Sequence, residues 1–178
     1  LFSGAAGGIT AATSALTLGG VIGTLTGTAT NDNATVPAAI TTATLLNNTG
    51  GAAPGLGTAV VADGDSFTVN GTTTTFKAGA VPTTAPTGTT LAGNLAVDAN
   101  GNSTIYIGAS TTTSTATVGD VLHAIDLASG VAYNNAGTVT ANTSQTLSSI
   151  TAGAVSLKSS TGADLSVSGK ADFLKAFG

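Results

Sequence analysis

The chain has no cysteine, methionine, tryptophan, arginine or glutamate, and only one histidine. Without cysteine there is no disulfide framework, no thiolate nucleophile and no thiolate metal site. One His and no Glu nearly empty the usual inventory of acid–base and metal-ligating groups. The only cations are four Lys, set against eight Asp, for a net charge of -4. A nucleic-acid partner needs clustered Lys and Arg, so that class is excluded. Charged residues make up 7% of the chain and aromatics 4%. Long hydrophobic runs are also missing. Leu16 to Leu25 comes nearest and is broken by Thr and Gly, well short of the roughly 18–20 apolar residues that cross a bilayer as a helix. No membrane insertion is expected.

What remains is small and β-branched. Threonine recurs throughout, with runs at Thr72–Thr75 and Thr111–Thr113. A threonine favours strands, and its hydroxyl keeps an exposed strand face wet without charge. The core must come from Val, Ile, Leu and Ala. Twenty-five Gly and four Pro in 178 residues are too few for a low-complexity tract, and Val, Ile, Leu and Phe alternate, so a folded protein is expected. The opening Leu1-Phe2-Ser3 has no initiator Met, basic region or cleavage site, and Lys170–Phe177 begins an amphipathic helix just where the sequence stops. An internal fragment of a longer protein is the simplest expectation.

The pattern predicts strands at 15–18, 20–25 and 43–46, and a linker over 48–57. Two hairpins are clearer. Ser66–Val69 and Thr73–Phe76 flank Asn70-Gly71, the pair that supplies both positive-φ residues of a type I′ turn. Asn94–Val97 and Thr104–Ile107 flank a turn around Asp98–Gly101. The period then changes. Val118, Val121, Leu122 and Ile125 recur at helical spacing behind Thr117 as N-cap, with Asp120 in the first turn and Gly130 as the stop. A strand at Thr138–Thr140 follows. A hairpin of Ala154–Leu157 with Asp164–Val167 and the closing helix at Lys170–Phe177 complete the reading. The fold class is mainly β, with antiparallel hairpins and one or two short helices. The expected division is into two small β-rich domains, one of residues 1–55 with 131–178 and one of residues 56–130 inserted between them. One continuous domain is the alternative.

Few residues carry chemistry. His123 lies three positions from both Asp120 and Asp126 on the helix, an arrangement that invites a Ser-His-Asp or metal reading. It falls off the apolar stripe, which makes it a surface histidine. Asp98, Asn100 and Asn102 have the 1, 3, 5 spacing of a calcium loop, but no Glu follows to supply the bidentate ligand, so a plain turn is expected. Asp63-Gly-Asp65 is an acidic turn. No catalytic, cofactor-binding or metal residues are assigned, no cofactor is expected, and the protein is not expected to be an enzyme.

Two stretches carry a resemblance. Residues 65–77, Asp-Ser-Phe-Thr-Val-Asn-Gly-Thr-Thr-Thr-Thr-Phe-Lys, precede the helix Ala116-Thr-Val-Gly-Asp-Val-Leu-His-Ala-Ile-Asp126. Residues 157–178 close the sequence. Both resemble the variable middle of bacterial flagellins, most nearly those of alphaproteobacteria, in a hairpin followed by a short helix and then a return towards the helical shaft. The resemblance implies a structural outer domain exposed on the flagellar filament, extracellular, contributing to motility. It also implies a subunit exported unfolded, which the absence of Cys suits. The implied partners are other flagellin subunits, and the low charge offers little repulsion to pairing between neighbouring outer domains. The alternative is a cell-surface adhesin or glycan-binding module, whose polysaccharide would stack on Tyr106 and Tyr133.

Overall fold

The computed structural model describes residues 24–51, 53–110, 112–160 and 165–178. The predicted strand at 15–18, and all of 20–25 before Thr24, lie outside the described residues. Among the described residues the architecture is mainly β with two short helices. Strands β1 (Thr24–Thr26), β9 (Ser149–Thr151) and β10 (Ala154–Lys158) form an antiparallel sheet in the order β1-β10-β9. A six-stranded sheet holds β2 (Ser66–Val69), β3 (Thr72–Lys77), β4 (Thr89–Ala92), β5 (Leu95–Asp98), β6 (Ser103–Tyr106) and β11 (Val167–Gly169), in the order β11-β2-β3-β6-β5-β4. Strands β7 (Ala132–Asn135) and β8 (Thr138–Ala141) make a separate hairpin.

Both predicted hairpins form. Asn70 and Gly71 take φ of 50° and 88° and close β2 onto β3. The alternation sends Phe67, Val69, Thr74 and Phe76 inward, while Thr68, Thr73, Thr75 and Thr104 stay exposed or half-buried on the other face. The two hairpins join through a parallel pairing of β3 with β6, in which Phe76 opposes Ile105. Buried Thr74 and Ser103, also opposite one another, satisfy their hydroxyls mutually at 2.9 Å.

Helix α1 (Val118–Ala128) lies against β3, β6, β7 and β10. Its apolar stripe is buried as expected, and Gly130 follows with φ of 75°. Thr117 and Asp120 form a reciprocal capping box: the Asp120 N–H donates to Thr117 Oγ1, and the Thr117 N–H donates to Asp120 Oδ2 at 2.8 Å. The substitution Thr117→Ala is expected to cost about 1 kcal/mol. It should read as a lower urea midpoint at unchanged slope, and an unchanged midpoint would show the cap to be idle.

Three expectations fail. Residues 43–46 form no strand. Leu45 makes isolated bridges to Gly55 and Thr117, and buried Leu46 and Asn47 pin this loop to the core. The Asn47 amide spans to both polar groups of Val61, donating to its O at 2.7 Å and accepting from its N–H at 3.0 Å. The stretch 48–57 is no free linker, because Asn48 is buried and its N–H donates to Gly57 O. Nor does 154–157 pair with 165–167, the described part of the strand expected at 164–167. β10 pairs with β1 and β9, whereas β11 pairs with β2 in the other sheet. Alternation identifies a strand but not its partner: β9 adjoins β10 in sequence, whereas β1 and β2 lie far from the strands they pair with.

One connected cluster of buried side chains runs from Ile40 and Leu46 through both hairpins and α1 to Val155, Leu157 and Phe173. Phe173 comes from helix α2 (Ala171–Ala176), the predicted closing helix.

Candidate functional site

The polar cluster beside α1 is the strongest concentration of chemical groups. Asp126 lies one helical turn after Leu122 and therefore on the buried face, with 0% exposure. Its carboxylate accepts the Ser148 N–H at 3.1 Å and the Ser148 hydroxyl at 2.6 Å. Ser148 Oγ in turn accepts the Lys158 N–H at 3.0 Å. The series Lys158–Ser148–Asp126 thus ties the three-stranded sheet to α1. Burial pushes the Asp126 carboxyl above the usual carboxylate range, against the opposing effect of the Ser148 bonds and of His123. Sequence reading placed Asp126 beside His123 and missed that it is buried. Its spacing from Val118 and Leu122 was the available signal.

His123 lines a cavity of about 330 Å³ with Thr42, Asp126, Leu147 and Ser148. The arrangement is not that of an activated nucleophile, because Ser148 gives its proton to Asp126 rather than to an imidazole. Asp120 is occupied by the cap and by the Asn94 amide at 3.0 Å. Among the described residues no three acidic or His side chains gather as a metal site.

At the tip between β5 and β6, Asp98 Oδ1 accepts the Asn100 and Asn102 N–H groups at 2.8 and 2.9 Å, and Oδ2 accepts the Asn102 amide at 3.0 Å. The Asn102 amide is the main cause holding the Asp98 carboxyl below its usual range. Both oxygens serve the turn. Asp63 accepts the Ala78 N–H, and Asp65 pairs with Lys170 at 3.2 Å. Of the two tyrosines, Tyr106 is 7% exposed and belongs to the interior, while Tyr133 is 46% exposed. They do not make a shared stacking surface.

The ends of the described fold meet. The Thr28 N–H donates to Gly178 O at 3.0 Å, and Thr30 Oγ1 donates to Ala176 O at 3.3 Å. At Gly27 an added Cβ would lie 2.7 Å from the Phe177 carbonyl oxygen, so glycine permits this approach. Beside the junction, Leu25, Val155, Leu157, Val167, Leu174 and Phe177 line an apolar groove of about 260 Å³.

The profile of a family described as a domain of unknown function, DUF1522, matches residues 24–178. The protein belongs to this family. The DUF1522 match opens at β1 and runs through α2, so it takes in both sheets, the capped helix and the Asp126 cluster. Neither the curated proteins nor the solved structures give a match.

Proposed function

We propose that this domain is a structural, surface-exposed outer domain of flagellin, the subunit of the bacterial flagellar filament, and that it contributes to motility by shaping the filament surface. The observation that carries the reading is the junction of β1 with the end of α2. A backbone that enters through β1 leaves beside it, bonded through Thr28 and Gly178. A domain with adjoining ends can be inserted between two segments of a longer subunit without forcing them apart. The hydroxyl-rich outer face of the six-stranded sheet and the resemblance of residues 65–77, 116–126 and 157–178 support the same reading. Its partners are other flagellin subunits, and its place is outside the cell. Among the described residues no helix is long and apolar enough to cross a membrane.

Immunogold labelling with antibody against residues 24–178 tests this on the organism that carries the gene. Gold along the length of sheared filaments is the expected result. Gold confined to the cell envelope would overturn it in favour of the adhesin reading, and a glycan array on the purified domain would then follow.

A further inference from the structure

The sequence contains two Asn-Gly dipeptides, Asn70-Gly71 and Asn100-Gly101, each at a hairpin tip. At such a pair the glycine, lacking Cβ, leaves its backbone nitrogen unhindered next to the asparagine side-chain amide. By composition the two sites are equivalent, and the fold makes them different.

Asn70 is held at two points by the segment leading into β11. Its Oδ1 accepts the Ser166 N–H at 2.8 Å, and its own N–H donates to Ser166 O at 3.0 Å. For its Cγ to meet the Gly71 nitrogen, the side chain must leave Ser166, and the positive-φ turn that sets the β2–β3 register must open. Asn100 is exposed. Its backbone N–H is tied to Asp98 Oδ1, but its side-chain amide has no partner among the described residues. The turn is held by bonds to Asp98, among them the Gly101 N–H to Asp98 O at 3.1 Å, but none of them ties the Asn100 side chain.

We infer that Asn100 is a site of spontaneous hydrolytic deamidation in the folded domain, and that contact with Ser166 protects Asn70 from the same reaction. The Gly101 backbone nitrogen gives up its proton to water and attacks Asn100 Cγ. A new C–N bond closes a succinimide ring, the bond between Cγ and Nδ2 of Asn100 breaks, and ammonia leaves with a proton from water. Water then opens the ring at either carbonyl, giving aspartate or isoaspartate. One water is consumed and one ammonia released, with no oxidation or reduction. The product carries an added negative charge two residues from the Asp98 carboxylate.

Peptide mapping by mass spectrometry of the full-length protein, aged in mildly alkaline buffer with and without concentrated urea, tests the inference. In native buffer the peptide holding Asn100 is expected to gain one mass unit and isoaspartate roughly tenfold faster than the peptide holding Asn70, the scale of the one side-chain hydrogen bond that Asn70 makes and Asn100 lacks. In urea the two rates should converge. Substituting Ser166→Pro removes the N–H that Asn70 accepts and should raise the Asn70 rate towards that of Asn100. Equal or faster reaction at Asn70 in native buffer would overturn the inference. So would the same rate ratio in urea as in native buffer, or a folded protein in which Asn100 stays unmodified.

Discussion

Replacing Phe173 with Ala is expected to lower the stability of the domain by about 3–5 kcal/mol, a large share of the roughly 5–15 kcal/mol that holds an ordinary domain together. Helix α2 has six residues, too few to persist alone in water. Phe173 is its buried residue. The ring stacks on Phe67 at 5.2 Å, meets Phe76 edge-on at 5.4 Å and touches Phe177 at 4.9 Å. Truncation leaves a cavity under the helix and removes the aromatic contacts, each worth about 0.5–1.5 kcal/mol beyond area burial. The damage should reach the junction of the two ends, because the Thr28–Gly178 and Thr30–Ala176 bonds depend on α2 being seated. Urea unfolding measures the loss, and amide exchange locates it. Exchange should quicken across 165–178 and at Thr28. A loss below about 1 kcal/mol with unchanged exchange would mean that α2 lies outside the cooperative unit.

Asp126 should give the second large effect, and it depends on pH. The substitution Asp126→Ala leaves the half-buried Ser148 N–H and hydroxyl without their acceptor, at a cost towards the low end of about 1–3 kcal/mol. Asp126→Asn keeps an acceptor and removes the charge. Because burial raises the carboxyl in the folded state, the folded protein binds this proton more tightly than the unfolded protein does. Its contribution to stability is therefore full below the unfolded-state carboxylate value and is lost as pH rises through the raised folded value. Asp98, whose carboxyl is lowered, acts in the opposite sense and is present in both proteins. The difference between the wild-type and Asp126→Asn stability curves should fall with rising pH across that window and then level off. Parallel curves would show that Asp126 is not desolvated in solution.

Much of the fold was legible because its signals are local. Asn70-Gly71 needs only its own dihedral preferences to specify a tight turn, and the strands on either side follow by alternation. Thr117 and Asp120 cap a helix through bonds three residues apart, and the stripe from Val118 to Ile125 follows from helical geometry alone. The candidate site was less legible. His123 and Asp126 were noticed as neighbours on a helix, yet the partner of Asp126 is Ser148, which sits in a loop with no periodic signature. Tyr106 read as a free aromatic ring, but its strand is interior to a six-stranded sheet.

By itself, the sequence determined the class of this protein: β-rich, with a hydroxyl surface, a small-residue core, two tight hairpins and one capped helix, almost without catalytic or metal-ligating groups. Each of those properties comes from side-chain chemistry or from bonds a few residues long. Tertiary structure alone decided that β10 and β11 lie in different sheets, that β3 runs parallel to β6, that Asn47 and Asp126 are buried struts, and that β1 meets the end of α2. Those outcomes come from contacts between residues tens to more than a hundred positions apart. They are selected by which apolar faces and which buried polar groups can be satisfied together, and no local pattern encodes that choice.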